Sequence, residues 1–245
     1  MKITIDGINI DYDRYGKGDQ TILFLHGWHQ NFGRQKYKKL LKCLSKKYQV
    51  VALDLPGFGD SDIYSNPWTV LDFANFIGKF VDKLKIKPCV LIGHSFGGCI
   101  SIVLSSHPKL SDRFSHLVLI NSAGIRTKPP RIKAIIFLSK FIPETIKIKM
   151  SNLFSSNEYF SLNGVKKKTF SLVVSQDLQE YMPKISLPTL ILWGGEDNTT
   201  PMAHAKIINR KIKKSQLIVS PEDNHGLPYR NHRFTCSHIH QFLNQ

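Results

Sequence analysis

Gly93-His94-Ser95-Phe96-Gly97 places one hydroxyl between two glycines, with apolar runs on both sides. A serine alone is a weak nucleophile. It becomes reactive when a base takes its proton and an acid orients that base. The apolar run before the pentapeptide reads as a strand, and the run after it reads as a helix, so the spacing predicts a sharp strand-turn-helix joint of the G-x-S-x-G kind. Such a turn lifts the hydroxyl clear of the strand only if the residues two positions away lack bulk, which assigns Gly93 and Gly97 to support of the turn. The helix N-terminus behind it favours developing negative charge.

A base and an acid are then required further along the chain. Asp197 stands in WGGEDNTTP after the apolar run 189–193, and His225 stands in DNHGLP after 216–219. Both lie at the ends of expected strands, on the sheet edge expected to carry Ser95. Glu196 adjoins Asp197 and is expected to point the other way. Asp223 is too local to His225 to brace the ring from its far side. An oxyanion formed at Ser95 needs donors. The backbone N–H of Phe96 is one candidate, and that of Trp28, in His26-Gly27-Trp28 after the run 21–25, is the second. His232, His238 and His240 read as surface residues of the last helix. They have neither the spacing nor the acids of a metal site, and no metal or cofactor is expected.

These residues need a frame that brings them together. Short apolar runs alternate with longer amphipathic segments, the pattern of an α/β fold with a mostly parallel sheet. Strands are expected over 2–5, 9–14, 21–25, 50–53, 89–93, 116–120, 189–193 and 216–219. Helices are expected over 36–47, 69–84, 202–211 and 231–243. Residues 125–185 break this rhythm, opening with Pro129-Pro130 and carrying eleven basic residues against four acids. They are read as a cap inserted into a core formed by 1–124 and 186–245. Ile132, Ile135, Ile136 and Phe137 either cover the substrate or pack the cap's own core.

Composition narrows the partners. The chain has 245 residues, 42% hydrophobic and 11% aromatic, enough for a sizeable core. Its formal net charge is +16. A Lys-, Ile- and Asn-rich composition accounts for that charge. No base-reading element accompanies it, so a nucleic-acid partner is not expected. No apolar run reaches the roughly eighteen residues of a membrane span. The N-terminus alternates as a strand does and lacks the apolar stretch of a signal peptide. Cys43, Cys89, Cys99 and Cys236 form no C-x-x-C pair, so neither a disulfide framework nor a thiolate zinc site is expected. That usage fits a reducing, cytoplasmic compartment.

HGW at 26–28, DLPGFGDS at 54–61, GHSFGG at 93–98 and the late Asp and His loops stand in a definite order. Together they resemble the alpha/beta-hydrolase superfamily, over essentially the whole chain. The resemblance implies a central, mostly parallel sheet flanked by helices, with a helical cap after the sixth strand. It implies a triad of Ser95, Asp197 and His225, oxyanion N–H groups from Trp28 and Phe96, and a pocket wall shaped by 54–61. The serine excludes the dehalogenase and epoxide-hydrolase branches, which use an Asp there. The expected activity is that of a serine hydrolase, a carboxylesterase cleaving a small or acyl ester through an acyl-enzyme on Ser95. Two alternatives stand beside it: carbon–carbon bond hydrolysis of a vinylogous diketone with the same triad, and a non-catalytic, ligand-binding member. A looser likeness, to esterases of pimeloyl-acyl-carrier-protein methyl ester, implies an acidic carrier protein as partner for the basic cap. The histidine loop NHGLPYRNHRF departs from the commoner form of that family.

Overall fold

The computed structural model describes residues 1–29, 32–86, 88–126 and 164–245. The chain opens with a hairpin, β1 (Lys2–Ile5) and β2 (Ile8–Tyr15), followed by β3 (Thr21–Leu25). A 3-10 turn (Arg34–Tyr37) leads into α1 (Lys38–Leu44), then β4 (Gln49–Leu53) and α2 (Val70–Lys83). Next come β5 (Cys89–His94), α3 (Phe96–Ser106) and β6 (Phe114–Ile120). Within the expected cap region lies α4 (Gly164–Ser175), and after it come β7 (Thr189–Gly194), α5 (Met202–Lys211), β8 (Ser215–Ser220), the single turn α6 (Leu227–Arg230) and α7 (His232–Leu243).

The eight strands form one sheet in the order β1-β2-β4-β3-β5-β6-β7-β8. Pairing is antiparallel at β1/β2 and β2/β4 and parallel from β4 to β8. The mostly parallel α/β sheet read from the sequence is therefore present. Helices cover both faces, so the central strands are buried on both sides and read as unbroken apolar runs. Leu23, Leu91 and Leu119 point into one core with α2 and α3, while Phe24, Ile92 and Ile120 point into the other with α1 and α7.

Local chemistry sets the helix bounds. Thr69 caps α2 by a reciprocal box with Asp72, which fixes its start one residue later than the periodicity alone predicts. Phe73, Phe76, Ile77 and Phe80 then bury one face of α2. The expected helix over 36–47 is shorter, because its first turn tightens to 3-10 geometry and its last ends at Leu44. The turn of helix at Leu227–Arg230 was not expected.

One expectation is overturned. Cys43 on α1 and Cys236 on α7 form a disulfide, with Cα atoms 6.3 Å apart and 193 residues between them in sequence. Local spacing carries no trace of such a pair, since the bond depends on two helices lying side by side on one sheet face. The bond removes the cysteine argument for a reducing compartment. Cys89 and Cys99 are buried free thiols. No helix among the described residues is long and apolar enough to cross a membrane. Pro129, Pro130 and the apolar residues Ile132 to Phe137 lie outside the described residues.

Candidate active site

Parallel pairing brings the C-terminal ends of β3, β5, β7 and β8 to one sheet edge, and with them their loops. Ser95 follows β5 with φ 51 and ψ −110, a strained conformation for a residue with a side chain. Crowding holds it there. A Cβ on Gly97 would lie 2.2 Å from the Leu25 carbonyl oxygen, and one on Gly93 would lie 2.4 Å from that of Gly97. The Ser95 N–H donates to the Ile120 carbonyl at 3.0 Å, pinning the turn to the neighbouring strand.

The structure brings Ser95, His225 and Asp197 into line. The Ser95 hydroxyl donates to His225 Nε2 at 2.9 Å, and His225 Nδ1–H donates to Asp197 Oδ2 at 2.7 Å. Asp197 has no exposed side-chain surface, whereas His225 keeps 22% of its own. Glu196 is exposed and Asp223 is engaged by Ser220 and Asn231, so neither competes. Asp197 Oδ1 accepts from the backbone N–H groups of Thr199 and Thr200, each at 2.8 Å, and Oδ2 accepts from Thr200 Oγ1 at 2.7 Å and from Asn121 Nδ2. Burial disfavours this carboxylate, but the hydrogen bond and charge of His225, followed by the Thr200 bonds, prevail and bring its pKa to about 2.

Trp28 and Phe96 both line the cavity above Ser95. Among the described residues neither backbone N–H donates to a protein acceptor, which leaves both available. A Cβ on Gly27 would lie 2.9 Å from His94 Nδ1 and 3.2 Å from the Ser95 Cβ, so glycine permits the close approach of this loop. The Trp28 ring sits edge-on among Phe58, Phe96 and Phe170, at 4.8, 5.2 and 5.0 Å between centroids. Phe58 packs the 54–61 stretch against Trp28 and Phe96 without lining the cavity itself.

Several supporting residues escaped the sequence reading. Gly27 N–H donates to Tyr37 Oη at 3.1 Å, Tyr37 O–H donates to His94 Nδ1 at 2.7 Å, and His94 Nε2–H donates to the His225 carbonyl at 2.9 Å. This relay joins the loops after β3, β5 and β8. His26 adds a second link, with Nδ1–H donating to Gly27 O at 2.7 Å and Nε2 accepting from Leu55 N–H at 3.0 Å. Asn121 ends β6, and only its place in the sheet marks it. Thr200 carried a faint signal, a hydroxyl three residues after an acid in a loop.

The one acidic group with metal-like spacing among the described residues is Asp11, Asp54 and Asp60. The buried Arg34 guanidinium occupies it, pairing with Asp11 and Asp54 and donating to Asp13 at 2.7 Å. Charge pairing accounts for Asp11 and Asp54, while Asp60 is exposed.

The alpha/beta hydrolase fold family matches residues 20–147. The chain belongs to the alpha/beta hydrolase family. An uncharacterized hydrolase of Bacillus subtilis, YugF, is 27% identical over 99% of this chain and 97% of its own length. A pimeloyl-[acyl-carrier protein] methyl ester esterase of Legionella pneumophila is 27% identical over 92% of this chain and 95% of its own. A meta-cleavage product hydrolase of Pseudomonas fluorescens superposes with a TM-score of 0.77 at 20% identity, covering 100% of this chain and 97% of its own. That last likeness shows the fold.

Proposed function

We propose that this alpha/beta hydrolase is a carboxylesterase that works through an acyl-enzyme on Ser95. The observation that carries the reading is the line Ser95 Oγ, His225 Nε2, His225 Nδ1, Asp197 Oδ2, with hydrogen bonds of 2.9 and 2.7 Å. Ser95 attacks the ester carbonyl while His225 takes its proton. Asp197 holds the imidazole with Nδ1 protonated and offsets the charge that forms on it. The N–H groups of Phe96 and Trp28 hold the oxyanion, and the α3 N-terminus adds its field. His225 then returns the proton to the leaving alcohol. Water, activated by the same imidazole, releases the acid and restores the serine.

The cavity is about 430 Å³, within the range of a small-molecule site. Phe170, Val173 and Val174 of α4 line it, which supports the reading of 125–185 as a cap over the site. The relative named as a methyl ester esterase supports an ester as the substrate. An acidic acyl carrier protein is a fitting bearer of that ester for a chain of net charge +16.

The test is a chain-length series of p-nitrophenyl esters with wild type and Ser95→Ala, beside labelling by a fluorophosphonate probe. Turnover and labelling by wild type, both lost in the variant, are expected. Folded wild type that neither labels nor turns over any ester refutes the reading. Turnover of a vinylogous diketone alone would replace the ester with a carbon–carbon bond.

A further inference from the structure

Among the described residues, the cavity above Ser95 holds a cation with no counter-charge. Arg126, two residues after Gly124 in the loop that follows β6, lines the cavity. No carboxylate stands among the described lining residues; Asp197 lies behind His225 with no exposed side-chain surface. The Arg126 Nε is buried without a hydrogen-bond partner, and its Nη1 reaches only its neighbour's carbonyl, that of Ile125, at 3.4 Å. Asp177 is close, but its carboxylate takes the backbone N–H of Arg126 at 3.4 Å and both N–H donors of Gln179. No ion pair joins Asp177, or any other described carboxylate, to the guanidinium.

Half-buried Arg126 contrasts in this with a fully buried arginine. Arg34 is held by Asp11, Asp13 and Asp54, as the cost of burying a charge demands. Arg126 keeps up to five donors in a planar fork, the geometry that matches a carboxylate. Trp28, on the same cavity wall, has a buried indole N–H that is also without an acceptor. The unsatisfied groups of this cavity are therefore donors, and what they lack is an acceptor. The reach of the Arg126 charge is visible at Cys99, one turn of α3 beyond Ser95: burial pushes that thiol up to about 12, and Arg126 pulls against it.

We propose that Arg126 is a specificity residue that pairs with a carboxylate on the substrate, so that the preferred ester carries a second, free carboxylate group. The inference rests on the esterase reading and narrows it to half-esters of dicarboxylic acids and esters of similar charge. A neutral ester of equal length leaves the guanidinium unpaired in the cavity. A half-ester supplies the missing acceptor and is drawn in by the same charge.

The experiment compares p-nitrophenyl hydrogen succinate, glutarate and adipate with p-nitrophenyl pentanoate. It uses wild type, Arg126→Met and Arg126→Lys, with folding checked by thermal melting. Wild type is expected to favour one half-ester by kcat/KM. Arg126→Met is expected to lower the ratio of half-ester to neutral ester about 10- to 100-fold, through KM, the size of a charge-assisted hydrogen bond. Arg126→Lys is expected to restore part of that ratio, and serves as the reporter should the Met variant fail to fold. An unchanged ratio overturns the proposal while the esterase reading stands. Should wild type turn over no ester, the esterase reading fails and glutarate binding by calorimetry at low salt decides the site. Binding to wild type that weakens in either variant supports it, and equal or absent binding overturns it.

Discussion

Tyr37 and His94, 57 residues apart in the chain, share a 2.7 Å hydrogen bond beside Ser95. Tyr37 leaves the 3-10 turn ahead of α1, and His94 is the last residue of β5. Their contact connects the Trp28 loop to the His225 loop through the residue next to Ser95. Removing the Tyr37 hydroxyl strands two buried groups, Gly27 N–H and His94 Nδ1. Tyr37→Phe is expected to lose about 1–3 kcal/mol of stability in denaturant unfolding. Ester hydrolysis should fall roughly tenfold, because both loops that meet the substrate lose their shared anchor. Unchanged stability and turnover would show that the relay is dispensable.

Asp197 is held more firmly than its partner histidine requires, by two backbone and two side-chain donors besides His225. Asp197→Asn keeps the shape but favours the wrong imidazole tautomer. The expected loss of kcat is about a thousand- to ten-thousand-fold with the fold intact. Thr200→Val deletes one donor and leaves both backbone bonds, so a drop of about tenfold is expected. Equal effects in steady-state hydrolysis would place Thr200 in a larger role than positioning.

Acid should destabilise this protein as its buried histidines take up protons. Burial brings His26 down to about 4 from 6.5, and it drives His94 down as well, with the His225 charge adding to the effect. Both folded values lie below their unfolded values, so protons bind the unfolded chain more tightly. Their contribution is complete above about pH 6.5 and is lost as pH falls toward 4. For His26 alone the loss approaches about 3 kcal/mol. Urea unfolding between pH 7 and 4 measures it. A flat profile would show that His26 is protonated in the folded state, which its bond from Leu55 N–H forbids.

The Cys43–Cys236 bond closes nearly the whole chain into one loop. Reduction is expected to lower stability by about 2–5 kcal/mol, seen as a shift in denaturant midpoint with dithiothreitol. Alkylation of the unfolded, unreduced chain should modify only Cys89 and Cys99. Labelling of all four cysteines without reductant would contradict the bond.

Much of the site was legible because its residues stand at strand ends with distinctive neighbours. Gly93, Ser95 and Gly97 announce a turn through local sterics, and Asp197 and His225 each follow an apolar run of strand length. Glu196 was set aside on adjacency alone, and its exposure agrees. The support around the site left no such mark. Tyr37 reads as one more residue of the helix expected over 36–47, and Asn121 as a polar residue after an apolar run.

Periodicity and turn chemistry in the sequence alone thus determined the α/β architecture, the strand that presents Ser95 and the loops that carry its partners. Those signals are short-range, so a single chain displays them. Which side chains meet across the sheet was decided only by the tertiary structure. The parallel register set Tyr37 against His94 and Asn121 against Asp197. The helix packing on one sheet face joined Cys43 to Cys236. The loop after β6 set Arg126 in the cavity, with no counter-charge among the described residues. These pairings depend on distances between segments far apart in the chain, and no local pattern encodes them.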